Sequence, residues 1–213
     1  MRYLSLFIII SIAFLLVIIS NDIDSRISIA CIGDSNTIGH GLFPKSLLSY
    51  PSQLRFILGR KYLIENFGLS GSSVSGNKDS MYINSIPFIE SKKKKYKYFI
   101  FMLGTNDSKH LNDEFYDRYN ELISSYQITD SRCVLMLTPP KAFSSKFGVN
   151  NLLISKIIRN EVIKTAKINN YTLIDTYELL NKRSYFQNDG IHLNIEGANL
   201  LANKIEEVIK NDI

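Results

Sequence analysis

Residues 27–36 read ISIACIGDSN, and this stretch decides how the chain is expected to fold. Its first six residues form a short apolar run that ends at Gly33, which is typical of a buried β-strand. Asp34, Ser35 and Asn36 follow at once, so polar side chains lie directly after the strand. In an open parallel sheet, the segments that follow the strands meet at one edge, where ligands bind. The stretch therefore predicts a core strand and one part of a functional site.

Four further apolar runs along the chain resemble the first one. They cover residues 62–65, 98–103, 133–137 and 171–174. Between and after these runs, apolar residues recur with helical spacing over residues 46–60, 112–126, 151–169 and 194–210, and Pro51 is acceptable in a first helical turn. The alternation of strand and helix predicts right-handed crossovers and a three-layer α/β/α domain with a five-stranded parallel sheet.

The length and composition are those of a single globular domain. The chain has 213 residues, of which 45% are hydrophobic and 21% charged, and a chain of this length buries a substantial core. The formal net charge of +5 becomes +4 without the first twenty residues, whose one charged side chain is Arg2. A net charge this small gives no reason to expect a nucleic-acid partner. We therefore predict one domain over residues 27–213.

The first twenty residues differ in kind from the rest. Residues 4–19 carry no charge, Arg2 precedes them, and Asp22 and Asp24 follow. This length lies between the roughly 20 residues of a membrane span and the roughly 7–15 of a signal-peptide core. Small residues at alternate positions are missing, which favours an uncleaved membrane anchor over a signal peptide, and a buried core helix would have a polar face. The charge order places the domain outside the cytoplasm, periplasmic or at the cell surface, after a short linker at 21–26.

Three other polar blocks follow predicted strands, as Ser35 does. They are residues 66–71, 104–107 and 189–192, which read NFGLSG, GTND and DGIH. Each block alone is close to what chance produces in a chain of this length. Their order, and the position of each one after a strand, indicate that they converge on one site at the carboxyl edge of the sheet.

The residue types in these blocks fit nucleophilic catalysis. A serine hydroxyl needs a base within hydrogen-bond reach and donors for the developing oxyanion. Ser35 would be the nucleophile, and the N–H of Gly71 and the side-chain amide of Asn106 could form an oxyanion hole with the N–H of Ser35. Asp189 precedes His192 by three residues, so within a turn it could orient the imidazole as the base.

Each block also has a purely structural interpretation. The serine block could cap a helix, the NFGLSG block could be an ordinary turn, and Asp107 is expected to cap the segment after it. Among the other histidines, His110 is the rival base and His40 could at most line the cleft. Three dispersed His and two Cys show no ligand spacing, so we predict no metal and no cofactor. Cys31 and Cys133 fall on strands one and four, which are not neighbours in the common order 2-1-3-4-5, so no disulfide is expected.

Two segments have an open interpretation. The lysine run at 92–95 ends a helical stretch, which favours a solvated helix cap over a patch for nucleic acid or lipid headgroups. The long segment at 139–150 follows the fourth strand and is either a wall of the pocket or a disordered crossover. As a wall it would offer two apolar and two charged contacts, from Phe143, Phe147, Lys141 and Lys146.

With these motifs the chain resembles the SGNH hydrolases, also called the GDSL esterases and lipases. The four letters match Ser35, Gly71, Asn106 and His192, and the resemblance runs from about residue 27 to the C-terminus. It implies a flavodoxin-like five-stranded parallel sheet, in agreement with the strand count. It also implies that Ser35 attacks an ester carbonyl, that Ser35, Gly71 and Asn106 form the oxyanion hole, and that Asp189 and His192 complete the triad.

The resemblance leads to one leading hypothesis and two alternatives. A serine esterase would remove a small acyl group, such as acetyl, from a carbohydrate or a related small-molecule ester. An O-acyltransferase would use the same residues with a sugar hydroxyl as acceptor. A catalytically silent, membrane-anchored binding protein would keep the scaffold without the chemistry. Asn36 stands where many members of the family have Leu, and this departure leaves the assignment of the catalytic residues intact.

Overall fold

The structure is a computed structural model, and it describes residues 25–110 and 113–211. The predicted anchor or signal at 1–20, and membrane contact through residues 4–19, fall outside the described residues. The extracytoplasmic location and the division of the chain at residues 20 and 26 therefore stay predictions. Along the described stretches, no helix has both the length and the apolar character needed to cross a membrane.

The described residues contain one sheet of five parallel strands. The strands are β1 (Ile27–Gly33), β2 (Tyr62–Gly68), β3 (Tyr98–Met102), β4 (Val134–Leu137) and β5 (Thr172–Ile174). Their order is β2-β1-β3-β4-β5, with parallel pairing throughout. The predicted α/β fold class, with a flavodoxin-like sheet, is confirmed. β2 runs three residues past the predicted end because Asn66 and Phe67 still pair with β1, although the polar Glu65 and Asn66 end the apolar run.

Helices cover both faces of this sheet. They are α1 (Ser35–Ile38), α2 (Lys45–Leu48), α3 (Tyr50–Leu58), α4 (Ile86–Ser91), α5 (Phe115–Ser124), α6 (Asn151–Leu153), α7 (Arg159–Asn169), α8 (Thr176–Leu179) and α9 (Ile195–Asn211). A π-helical turn, Ile154–Ile158, joins α6 to α7, so the helix predicted over 151–169 is present with one wider turn. The described part of the helix predicted from residue 112 begins at Phe115.

The buried strand β1 divides the core into two halves. Ile29 and Cys31 belong to the apolar cluster shared with α3 and α9, whereas Ala30 and Ile32 belong to the cluster shared with α5 and α7. Successive side chains of a strand point to opposite faces, and both faces are covered here. This double burial explains why residues 27–32 read as a continuous apolar run.

The prediction of a single helix over residues 46–60 is wrong. α2 ends at Leu48, and Ser49 is extended with φ −64° and ψ 153°, after which α3 begins. Pro51 has no N–H to donate to the carbonyl of Leu47, so a continuous helix would lose a hydrogen bond at this point. The proline therefore divides the predicted helix, although it sits in the first turn of α3.

Two other local predictions concern helix ends. α9 begins one residue later than predicted because Asn194 caps it, its side-chain oxygen accepting the N–H of Gly197 at 3.0 Å. At the end of α4, Lys93 pairs with Glu90 at 2.6 Å and Lys94 pairs with Glu65 at 2.8 Å. These pairs agree with the interpretation of the lysine run as a solvated helix end.

The end of β2 and the short helix α1 approach each other closely at the carboxyl edge of the sheet. A side chain on Gly68 would place its β-carbon 2.3 Å from the backbone nitrogen of Ile38, in the last turn of α1. Only glycine permits this distance without moving the backbone. The end of β2 therefore lies directly against the short helix that begins with Ser35.

Candidate active site

Ser35 is the first residue of α1 and faces a cleft at the carboxyl edge of the sheet. The preceding residue, Asp34, caps the helix by accepting the N–H of Asn36 at 2.9 Å. The structural and the functional interpretations of this block are thus compatible. Asp34 does the capping, and the hydroxyl of Ser35 is left to face the cleft.

His192 lies between Ser35 and Asp189. Its Nε2 is 3.1 Å from the Oγ of Ser35, and its Nδ1 is 2.6 Å from the Oδ2 of Asp189. The other carboxylate oxygen of Asp189 accepts the N–H groups of Ile191 and His192 at 2.8 and 3.0 Å. The DGIH turn is thus folded around its own carboxylate. A hydroxyl, an imidazole and a carboxylate in this order match a nucleophile, a base and the group that orients the base.

The surroundings of Asp189 keep its carboxylate ionised. Burial raises its pKa, but the hydrogen bonds from the His192 ring and from the N–H groups of His192 and Ile191 outweigh burial and hold the pKa below its usual value. An ionised Asp189 favours the imidazole tautomer with hydrogen on Nδ1. The Nε2 of His192 is then free to accept the proton of Ser35.

Gly71 and Asn106 line the same cleft as Ser35 and His192. Gly71 has φ 83°, in the left-handed region that favours glycine. The Nδ2 of Asn106 donates to the carbonyl of Ser72 at 2.8 Å, which fixes the amide and joins the loops after β2 and β3. A side-chain amide nitrogen carries two hydrogens, so one remains for an oxyanion. All five predicted site residues are therefore brought to one place.

The prediction that Asp107 caps the segment after it is wrong. Its buried carboxylate accepts the N–H groups of Val74 and Ser75 at 3.0 and 2.7 Å, and the hydroxyl of Ser75 at 3.0 Å. Burial raises its pKa, and these hydrogen bonds oppose the rise. Because its partners lie on the loop after β2, Asp107 fastens the loop of Gly71 to the loop of Asn106.

The two remaining histidines have different surroundings. His110 is exposed and does not line the cleft, whereas the base that Ser35 requires must lie within hydrogen-bond reach of its hydroxyl. His40 lines the cleft, as predicted, and its ring packs on the ring of His192 with the centroids 4.4 Å apart. Burial and the charges of His192 and Lys45 lower the pKa of His40. His40 is therefore neutral at pH 7 and adds no positive charge beside His192.

Asn36 has a role that the sequence did not predict. Its side-chain oxygen accepts the N–H of Leu193 at 2.9 Å, and its Nδ2 donates to the carbonyl of Ile191 at 3.4 Å. These two residues flank His192, so Asn36 ties the turn of the serine to the loop of the histidine. No local signal could reveal this pairing, because the partners are more than 150 residues apart in the sequence.

The segment at 139–150 forms an ordered wall of the cleft, one of the two interpretations that the sequence left open. The N–H of Phe143 donates to the carbonyl of Gly190 at 2.8 Å, and the hydroxyl of Ser144 donates to the carbonyl of Asp189 at 2.6 Å. Phe147 lines the cleft with its ring centroid 6.0 Å from that of His192. It is 63% exposed and has φ 57°, a strained conformation for a phenylalanine.

The other three expected contacts of this segment do not line the cleft. The ring of Phe143 packs against that of Phe186, with the centroids 5.2 Å apart. The ammonium of Lys141 lies over the rings of Phe143 and Tyr177, and Lys146 is exposed. Sequence reasoning instead missed Lys109, which lines the cleft beside Asn106 and Phe147.

The cleft itself is small, with a volume of about 200 Å³. Sites for drug-sized ligands usually have about 300–1,000 Å³. Besides the predicted residues, its wall includes His40, Lys109, Phe147 and Val149. Among the described residues, no group of three or more His, Cys, Asp or Glu side chains could hold a metal ion.

The comparison with protein families identifies the family of this chain. The family model for GDSL-like lipases and acylhydrolases matches residues 29–205. The chain belongs to this family. The sequence-based assignment to the SGNH, or GDSL, hydrolases is therefore confirmed.

Known relatives of this GDSL-like chain include esterases. It is 30% identical over 214 residues to an acetylxylan esterase from Xylanibacter ruminicola, in a match covering 88% of this chain and 44% of the relative. The chain thus spans less than half the length of that relative. Its fold is similar to that of a carbohydrate acetylesterase from Sinorhizobium meliloti, with a TM-score of 0.72, 20% identity, and coverage of 88% of this chain and all of the other. The fold of this chain is also similar to that of an aryl esterase of M. smegmatis, with a TM-score of 0.71 and 17% identity. The match covers 87% of this chain and 99% of the esterase.

We expect Asn36→Leu to lower both the stability of this GDSL-like domain and its turnover. Leucine cannot accept the N–H of Leu193, and a buried unpaired N–H costs about 1–3 kcal/mol. The loop of His192 would lose its tie to Ser35 at the same time. Urea unfolding and kcat measure the two effects, with Asn203→Leu on the exposed face of α9 as the control. An Asn36→Leu protein with unchanged unfolding free energy and kcat would contradict this account.

We expect the stability to depend on pH through Asp34. This side chain is 1% exposed, and burial raises its pKa to about 6, against about 3.9 in an unfolded chain. The folded state therefore favours the protonated acid, and this contribution is lost as pH rises from about 4 to about 6. Asp34→Asn cannot ionise, so its stability relative to the wild type should rise by roughly 3 kcal/mol over that interval.

Urea unfolding at pH 4 and pH 7.5 measures this change. The exposed variant Asp79→Asn is the control and should differ from the wild type by the same amount at both pH values. A stability difference between Asp34→Asn and the wild type that does not change with pH would show that Asp34 ionises normally in the folded protein.

Proposed function

We propose that this GDSL-like protein is a serine esterase that hydrolyses short acyl esters. The observation that carries the proposal is the hydrogen-bonded series in which Ser35, His192 and Asp189 are linked by distances of 3.1 and 2.6 Å. Membership of the GDSL-like family and the similarity to an acetylxylan esterase support an esterase. The geometry of the site supports the roles that we propose for the individual residues.

In the first half of the reaction, the Oγ of Ser35 attacks the ester carbonyl while the Nε2 of His192 takes its proton. Negative charge develops on the carbonyl oxygen. The N–H groups of Ser35 and Gly71 and the free hydrogen of the Asn106 amide donate to this oxygen. His192 then gives its proton to the leaving alkoxide as the carbon–oxygen bond breaks. The products are an alcohol and an acyl group bound to Ser35.

In the second half, water replaces the alcohol and the same groups act again. His192 takes a proton from water, and the resulting hydroxide attacks the acyl carbon. The tetrahedral intermediate then collapses as the bond between the acyl carbon and the Oγ of Ser35 breaks. His192 returns the proton to this Oγ, and the carboxylic acid leaves. Ionised Asp189 stabilises the imidazolium in both halves. The net reaction consumes one water and needs no cofactor.

The size of the cleft supports a short acyl group. The whole cleft has a volume of only about 200 Å³, which favours a short acyl group over a long alkyl chain. The relatives named above are described as an acetylxylan esterase and a carbohydrate acetylesterase. We therefore propose acetyl as the acyl group and a carbohydrate as the alcohol.

Hydrolysis of 4-nitrophenyl esters of increasing acyl length tests the proposal. We expect kcat/KM to be highest for the acetate and to fall as the chain lengthens, because longer chains exceed the cleft. Ser35→Ala should lower kcat by at least about 10³-fold. The control Ser124→Ala, an exposed serine of α5, should keep the wild-type rate.

Each contrary result points to a specific alternative. An absence of Ser35-dependent hydrolysis would replace the esterase with a silent binding scaffold. Transfer of acetyl to an added sugar in excess of hydrolysis would indicate an O-acyltransferase. A preference for long acyl chains would contradict the short-acyl assignment.

A further inference from the structure

Among the described residues that line the cleft, Lys109 is the one lysine or arginine. It is half-buried at the end of the short 3-10 turn Asp107–Lys109, three residues after Asn106. Within residues 25–110 and 113–211, no Asp or Glu lines this cleft. Lys109 therefore brings a positive charge to the wall of the cleft.

The ammonium of Lys109 also has no carboxylate within 4.0 Å in the described part of the chain. Several other lysines do have such a partner, namely Lys93, Lys94, Lys164, Lys204 and Lys210. The carboxylates of Asp189 and Asp107 accept hydrogen bonds from other donors. A half-buried cation that has lost part of its hydration gains when an anion pairs with it.

The position of Lys109 places this charge on the alcohol side of the ester. The leaving alkoxide takes its proton from His192, so the alcohol lies beside that ring, next to Phe147. The side chain of Lys109 runs along the same turn, because its Cγ is the nearest atom, at 3.8 Å, to a β-carbon built on Gly148. Phe147 and Lys109 thus form one wall of the alcohol subsite.

We infer that the alcohol part of the ester carries a carboxylate, as in an O-acetylated uronic acid of a glycan, and that Lys109 binds this carboxylate. Phe147, with its exposed ring, offers an apolar face to the sugar. The inference rests on the proposed esterase function and narrows its substrate class. Lys109 is thus a specificity-determining residue for the alcohol and takes no part in the bond-making steps.

A matched pair of substrates tests the inference. One is a methyl glucoside acetylated on its ring hydroxyls, and the other is the corresponding glucosiduronic acid, which differs only by a carboxylate in place of the terminal hydroxymethyl group. We expect the wild type to favour the uronic acid in kcat/KM by about tenfold, since a charge-assisted hydrogen bond forms with one substrate alone. This ratio should shrink as salt is added.

The variants locate the effect at Lys109. Lys109→Met should remove the preference by raising KM for the uronic acid, and Lys109→Glu should reverse it. Lys156→Met, an exposed lysine of the π-helical turn, should keep the wild-type ratio. Circular dichroism and unfolding midpoints check that each variant is folded.

The possible failures can be distinguished. If 4-nitrophenyl acetate is cleaved through Ser35 but the two sugars react equally in the wild type, the esterase stands and the inference about Lys109 is overturned. A preference that survives in Lys109→Met also overturns it. A preference for 4-nitrophenyl hemisuccinate over 4-nitrophenyl butyrate that is lost in Lys109→Met would place the anion on the acyl side and overturn the assignment to the alcohol. If no ester is cleaved, the proposed function fails, and the inference fails with it.

Discussion

The position of the His192 imidazole is the constraint on which the rest of the site depends. The ring must meet the hydroxyl of Ser35 on one side and the carboxylate of Asp189 on the other, and each contact tolerates a displacement of only about 0.5 Å. Several contacts restrain it. The N–H groups of the DGIH turn bind the same carboxylate, and Asn36 holds the next residue, Leu193. The side chain of Gln187 adds a third restraint by donating to the carbonyls of His40 and Leu193.

The parallel sheet makes this arrangement possible because its core-forming side chains and its candidate catalytic side chains lie in different parts of the fold. The strand interiors bury apolar side chains on both faces, while the polar groups gather in the loops after β1, β2, β3 and β5. Asp107 and Asn106 fasten two of these loops to each other through Ser75 and Ser72. The candidate oxyanion donors therefore sit on loops that are fixed before substrate arrives, and such preorganisation is what makes electrostatic stabilisation effective.

The sheet, and the meeting of the five candidate site residues at its carboxyl edge, could be predicted from the sequence because their signals are local. A buried strand is an apolar run, and Asp189 and His192 meet within a single turn. The remaining features depend on pairs that are distant in the sequence. Asn36 and Gln187 are polar residues without a motif, and their partners become neighbours only in the folded sheet. Asp107 fits a helix cap locally, but the loop after β2 offers its buried carboxylate two backbone N–H groups. The position of Lys109 could not be predicted either, since the turn that places it in the cleft carries no sequence signature.

The central claim is that His192 makes Ser35 a nucleophile. Peptide mapping by mass spectrometry after treatment with a fluorophosphonate tests it directly, because the probe forms a stable adduct with an activated serine. The account predicts a single adduct on Ser35 in the wild-type protein and greatly slowed labelling in His192→Gln. An adduct on a different serine, or labelling of Ser35 at the wild-type rate in His192→Gln, would contradict it.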